Sequence, residues 1–267
     1  MVGHDTSDDE ATPESAGASS VTGVVGEGGL ADAVATSLRD AGGQPHVGSV
    51  ADVLAADPDV VVAVGESALL SVARRAPDVP VVPVDAGRGF ESVPRSAADA
   101  VGDAVVAGDW TVRATPLFDV TAGDVHARAL TDVTAVTAKS GRISEYSVTS
   151  TAPDGSRLPV TRVRADGVVV ATPAGSHGYA RDAGGAVLSP GIEGAVVVPI
   201  GPFTVDQSHW VVRPPVTVTV EREGVVALYA DDREVATLSR DEEATVTFDG
   251  HVDLVRLPAS RPVFDTR

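Results

Sequence analysis

A valine-rich segment at 21–25 and an unbroken apolar run at 60–64 bracket a stretch, 30–41, in which apolar residues recur at helical spacing up to Gly42-Gly43. The runs predict strands buried on both faces, and the spaced stretch predicts an amphipathic helix. A further helix over 69–75 leads to a strand at 79–84, and this alternation predicts a small parallel α/β layer. After a short helical stretch around 96–108 the hydrophobic period drops to two, over 110–118, 127–136, 142–149, 158–164 and 168–171. A turn at Asp154-Gly155 links two of these segments. Further strands are predicted at 195–200, 211–221, 225–229, 234–238, 245–248 and 252–257, so the second half reads as mostly β. The expected fold class is therefore α/β plus β, with an α/β layer over 21–98 and an antiparallel β-rich domain over 99–257. Residues 1–20 lack apolar periodicity and read as a disordered acidic tail; 258–267 read as a strap or a frayed end.

Composition narrows the chemistry. The 267 residues are 43% hydrophobic, enough for one or two domains with a substantial core. No apolar run approaches the roughly 20 residues that span a bilayer, and the N-terminus is acidic, so neither a membrane span nor a signal peptide is indicated and a cytoplasmic location is expected. Cysteine is absent, which removes disulfides, thiolate metal sites and thiol nucleophiles. The net charge of −18 opposes nucleic-acid binding. Lys139 is the only lysine, and this acid-rich, lysine-poor surface looks like that of an extreme halophile, so the charge reads as adaptation. An anionic ligand would need locally placed Arg side chains or backbone N–H groups.

The richest segment is Asp166-Gly167-Val168-Val169-Val170-Ala171-Thr172-Pro173-Ala174-Gly175-Ser176-His177-Gly178-Tyr179, followed by Gly184-Gly185. It joins a buried strand to a Gly/Ser-rich turn, with a helix expected near His177. A second strand-turn-helix corner is Val60-Val61-Val62-Ala63-Val64-Gly65-Glu66-Ser67-Ala68-Leu69-Leu70, a geometry that aims unpaired N–H groups and the positive end of a helix dipole at an anion. Taken alone, each corner also reads as ordinary capping, by Ser67 in the second case.

Together these segments resemble the ATP-NAD kinase family. The first follows the family pattern D-G-(apolar)4-T-P-T-G-S-T-A-Y and departs at Ala174, His177 and Gly178. The second takes the place of G-G-D-G-T-L-L, with Glu66 at the family's aspartate, Gly65 kept, and Val64, Ser67 and Ala68 at two glycines and the threonine. Other family positions follow in order: Asp85-Ala86-Gly87-Arg88-Gly89-Phe90, Leu130-Thr131-Asp132-Val133, Arg142-Ile143-Ser144-Glu145, Pro199-Ile200-Gly201-Pro202-Phe203 and Ala230-Asp231-Asp232-Arg233. In the last of these only the first aspartate matches the family's D-G-Q. The resemblance spans about 21–257.

What the resemblance implies is a Rossmann-like α/β layer and an antiparallel β-rich domain with a nucleotide between them, and phosphorylation of NAD at the adenosine 2′-hydroxyl by ATP or a similar donor. Glu66 takes the general-base position. Asp132 and Asp166 would hold ribose or nicotinamide polar groups, and Thr172, Gly175, Ser176, His177, Gly178 and Tyr179 would line the dinucleotide site. Arg142 and Arg164 would offset phosphate charge, and Gly65, Ser67, Asp182 and Gly201 complete the implied binding set. Mg²⁺ would bridge the donor phosphates, and a homo-oligomer, dimer or tetramer, is expected. The extra methylene of Glu66 moves its carboxylate by about 1.5 Å relative to an aspartate, so a homologue that binds nucleotide without turnover stays open. So does a different diol acceptor, because His177 and Gly178 replace Thr-Ala.

Other chemistries fit less well. Gly26-Glu27-Gly28-Gly29-Leu30-Ala31 matches a relaxed dinucleotide fingerprint, but no acidic residue ends the next strand as ribose recognition by a conventional dehydrogenase requires. The six His residues show no metal-ligand spacing. His177 beside Ser176 lacks the third, orienting group of a hydrolase. Trp110 and Trp210 read as core.

Overall fold

A computed structural model describes residues 21–138, 143–203, 208–222 and 224–264. The first half alternates as expected: β1 (Val21–Val25), α1 (Gly29–Asp40), β2 (Gln44–Val47), α2 (Val50–Ala55), β3 (Val60–Val64), α3 (Glu66–Ala73) and β4 (Val81–Val84). All five residues of β3 are buried, and α1 buries Ala31, Val34, Ala35 and Leu38, the one-sided stripe its sequence spacing calls for. Burying each such Val or Leu side chain is worth about 1.5–3 kcal/mol relative to exposure. Strand β2 and helix α2 were not visible in the hydrophobic pattern: β2 is a largely exposed edge strand and α2 buries only Val53. Helix α3 starts at Glu66, three residues before its apolar run, which places Glu66 in the first turn.

Two 3₁₀ segments, Arg88–Phe90 and Arg95–Ala100, precede α4 (Val101–Ala107). The β-rich half contains β5 (Thr111–Ala122), β6 (Val125–Ala129), β7 (Asp132–Thr137), β8 (Ser144–Thr151), β9 (Arg157–Ala165) and β10 (Gly167–Ala171). After a 3₁₀ turn at Gly175–His177 come α5 (Tyr179–Asp182), β11 (Ala195–Ile200), β12 (Trp210–Val212), β13 (Val216–Val220), β14 (Val226–Ala230), β15 (Arg233–Leu238) and β16 (Glu243–Arg256).

Two of the long period-two runs prove to be pairs of strands in different sheets. The run 127–136 breaks at Leu130-Thr131 into β6 and β7, and the run 211–221 breaks at Pro214-Pro215 into β12 and β13. Conversely, 245–248 and 252–257 are one strand, β16, with a register shift between Phe248 and His251.

Among the described residues the strands form a ten-stranded sheet ordered β2-β1-β3-β4-β16-β13-β8-β9, with β5 and β6 alongside β16, and a six-stranded sheet ordered β12-β11-β10-β7-β14-β15. The parallel N-terminal layer is not separate from the β half. Strand β16 pairs with β4 in parallel, at Leu254 and Val81, and with β5 and β13 antiparallel. One core fills the space between the sheets, with Phe118, Tyr146, Val168, Val170 and Leu228 among its members. Another sits under α3, where Leu69 and Leu70 pack with Phe90, Leu130 and Ala174. Three loops of the chain thus meet one helix, and the cleft described next lies at that junction. Among the described residues no helix is long and apolar enough to cross a membrane.

Candidate active site

Gly65 caps α3 with φ 90° and ψ 155°, a conformation that costs a side chain strain but not a glycine. The next residue, Glu66, projects into a cleft of about 440 Å³ shared with Ser67, Arg88, Thr131, Asp132, Gly175, His177, Gly178, Tyr179, Asp231 and Asp232. Glu66 therefore shares one hollow with the 175–179 turn, although more than a hundred residues separate them in the chain.

The cleft floor is made by close backbone approach. A Cβ on Gly175 would lie 2.0 Å from the Thr131 carbonyl oxygen, so only glycine fits against the backbone that leads into β7. The Thr172 hydroxyl donates to the Leu130 carbonyl (2.7 Å) and accepts from the Gly175 N–H (3.0 Å). Ser176 Oγ donates to the Pro173 carbonyl (2.7 Å) and accepts from the Leu188 N–H (2.9 Å). Both hydroxyls lie beneath the turn, fully buried, and hold its shape. His177 and Tyr179 stand at the cleft wall, and the His177 ring lies 5.8 Å from that of Phe264 in the C-terminal strap.

Asp231 is the hub of the opposite wall. Its carboxylate accepts from the Leu130 N–H (3.1 Å), the Thr131 N–H (2.7 Å) and the Thr131 hydroxyl (2.7 Å). Arg74, one turn beyond the middle of α3, pairs with Asp232 and stands 4.0 Å from Asp231. The guanidinium thus ties the helix that carries Glu66 to the β14–β15 hairpin.

Crowding of carboxylates in a half-dry cleft changes their basicity. Burial, with Asp231 and Asp232 nearby, raises the pKa of Glu66. Burial pushes Asp132 up to about 6, against the hydrogen bond from the Thr134 hydroxyl (2.9 Å) and with Asp231 and Glu66 adding to the rise. Burial also raises Asp231, opposed by its hydrogen bonds from Thr131 and Leu130 and by Arg74. A carboxylate whose pKa moves toward neutrality is a better proton acceptor at working pH.

Several expected residues do not line this cleft. Arg164, Asp166 and Gly201 gather at the start of β10: the Asp166 N–H donates to the Ile200 carbonyl (2.9 Å), and a Cβ on Gly201 would meet the Asp166 carboxylate at 2.5 Å. The strand's five residues separate them from the 172–179 turn by about 17 Å. Arg164 is exposed and reaches Glu145 at 3.4 Å. Asp182 is exposed on α5, and Arg142 lies outside the described residues. Conversely, Arg74 carries no motif that would have marked it, while Arg88 and Asp232 stand inside quoted family segments at positions that do not match the family pattern. Asp231 was visible only as the one matching aspartate of a degraded hairpin motif.

The fold and cleft define a class: an α/β layer fused through β16 to a β-rich half, with a carboxylate on a helix N-terminus facing the glycine-rich 175–179 turn. Comparison with known proteins makes this specific. Residues 131–257 match the family model for the ATP-NAD kinase C-terminal domain. An NAD kinase of Halorubrum lacusprofundi is 36% identical over 225 residues, which are 78% of this chain and 77% of that one. An NAD kinase of Methanopyrus kandleri is 29% identical over 206 residues, 75% of this chain and 70% of that one. The crystal structure of an Archaeoglobus fulgidus NAD kinase in complex with ATP superposes with a TM-score of 0.69 at 22% identity, over 88% of this chain and 92% of the other. That of yeast NADH kinase complexed with NADH gives 0.73 at 16% identity, over 90% and 84%. The chain belongs to the ATP-NAD kinase family of phosphotransferases.

Proposed function

We propose that this protein transfers a phosphoryl group from ATP or a similar donor to the adenosine 2′-hydroxyl of NAD, giving NADP, with Glu66 as general base. The observation that supports this is the single cleft shared by Glu66, Asp132 and the 175–179 turn. Glu66 takes the proton from the attacking hydroxyl, and Asp132, whose two oxygens can accept from vicinal hydroxyls, orients the ribose. Asp231 and Arg74 fix the positions of these two groups. Arg88 in the cleft wall offsets phosphate charge.

The donor belongs in the neighbouring hollow of about 540 Å³, which is lined by Gly26, Glu27, Ser49 and Ser71 and shares Ser67 with the cleft. Phosphoryl transfer needs donor and acceptor in line, and Ser67 is where the two spaces meet. Among the described residues no three His, Cys, Asp or Glu side chains form a metal cage. Mg²⁺ commonly binds through one or two carboxylates plus substrate phosphates and would there neutralise charge on the donor; Glu66, next to Ser67 where the two hollows meet, is the carboxylate placed to help hold it.

Arg164, Asp166 and Gly201 match family ligand positions yet stand a strand's length from their own cleft. A second copy of the chain is the arrangement that brings them to one, so the proposal extends to a homo-oligomer, dimer or tetramer, readable by sedimentation.

The test is a coupled assay for NADP formation in molar KCl. Turnover that Glu66→Ala abolishes supports the enzyme. Tight NAD binding without product supports a second reading, a nucleotide-binding homologue, which the Ser67 and Ala68 replacements beside Glu66 favour. A screen of other diols covers the consequence of His177 in the cleft wall: turnover of one of them in place of NAD would replace the acceptor.

A further inference from the structure

A third cavity, of about 560 Å³, opens beside the hairpin that carries Asp231 and Asp232. Its walls bring together Arg74, Arg128, Arg233 and His126, four basic side chains from α3, β6 and β15. Asp119 and Glu234 also line it, so two carboxylates stand against three guanidinium groups; the Glu234 carboxylate accepts from the Tyr229 hydroxyl at 3.3 Å. Asp119 faces Arg128 across the β5–β6 ladder, and the two form no ion pair. In a chain of net charge −18, Arg128 and Arg233 thus have no carboxylate partner among the described residues.

Guanidinium groups facing one hollow repel each other, and a half-buried one such as Arg128 has lost hydration that only an anion or hydrogen bonds restore. The guanidinium fork matches phosphate oxygens in pairs. A phosphate monoester carries close to two charges and three acceptor oxygens at neutral pH, whereas a carboxylate brings one charge and two. Val125 and Val235 add an apolar wall, and the volume falls in the range of small-molecule sites. The chain's overall charge opposes a nucleic acid as the occupant.

We propose that this cavity is a further anion site, distinct from the cleft and from the donor hollow, which binds a small organic phosphate against Arg128, Arg233 and Arg74. Arg74 also pairs with Asp232, which lines the cleft, so an occupant here touches the same guanidinium that braces α3.

The experiment is a titration of the full chain, ¹⁵N-labelled at arginine, with phenyl phosphate, with phenol as the uncharged control. Signals are assigned by single Arg→Lys substitutions. The expected result is a saturable shift of the Arg128 and Arg233 Nε–Hε signals with phenyl phosphate and none with phenol. R128A/R233A should weaken binding about tenfold or more, because two charge-assisted contacts are removed. Arg233 is exposed, so Arg233→Ala alone gives a smaller loss in the same direction should the Arg128 change disturb β6. Unmoved Arg128 and Arg233 signals, or equal binding by R128A/R233A, would overturn the proposal and leave the phosphate bound elsewhere or not at all.

Discussion

The carboxylate of Asp231 accepts the Thr131 N–H at 2.7 Å, across a hundred residues of chain. This contact interrupts what would otherwise be one long strand over 127–136. With the Leu130 N–H also taken up by Asp231, the backbone leaves one sheet at Ala129 and enters the other at Asp132. Asp132 emerges at the cleft as a consequence.

Asp231→Ala leaves two backbone N–H groups and a hydroxyl without their partner. Each buried donor left unpaired costs about 1–3 kcal/mol, so a loss of several kcal/mol in unfolding free energy is expected from denaturant titration in concentrated KCl. Asp231→Asn keeps one oxygen acceptor and should lose less. Equal stability of wild type and Asp231→Ala would refute the role given to this side chain.

The charge of Asp232 contributes to the raised pKa of Glu66. If Glu66 is the base, Asp232→Asn should move the acid limb of the kcat profile to lower pH, because Glu66 then ionises more readily. Glu66→Gln should lower kcat by about 10²–10⁴-fold above the acid limb, where wild-type Glu66 is ionised, and should remove that limb, while NAD still binds. A limb that stays in place in Asp232→Asn assigns it to another group.

Asp132 makes a pH prediction for stability as well as for binding. Its carboxyl ionises near 3.8 when free and at about 6 in the folded chain, so the folded state holds this proton more tightly. The stability it confers is full below 3.8 and is lost as pH rises to about 6. Asp132→Asn should flatten that slope in thermal unfolding measured across pH 4–7. If Asp132 orients the ribose, the KM for NAD in the wild type should climb as pH falls through about 6.

Gly175 has no room for a methyl group against the Thr131 carbonyl, so Gly175→Ala forces the turn and β7 apart. The expected cost is about 1–3 kcal/mol of overpacking strain with a higher KM for NAD. Ser176→Ala, by contrast, should lower stability through the unpaired Leu188 N–H and leave KM nearly unchanged, because that hydroxyl faces away from the cleft into the loop.

Strands such as β3 and β10 were legible because their five consecutive apolar residues are all buried. Helix α1 was legible because its stripe faces one core. Edge strand β2 was not, since an exposed strand held by backbone pairing leaves no hydrophobic period. The motifs around Glu66, Asp132 and 172–179 could be read as family positions, but their separate environments could not. Thr172 and Ser176 look like ligand hydroxyls in the sequence and are spent on the loop's own backbone in the structure.

By itself the sequence determined the fold class, the acid-rich surface and the kinship of the chain, since these depend on residue type and order along the backbone. Tertiary structure alone decided that Arg74, Asp231 and Asp232 gather around Glu66, that Arg164 and Asp166 stand away from it, and that unpaired arginines meet in a separate hollow. The physical reason is that ionisation and hydrogen bonding are set by neighbours within a few ångströms, and here those neighbours come from segments up to a hundred and more residues apart.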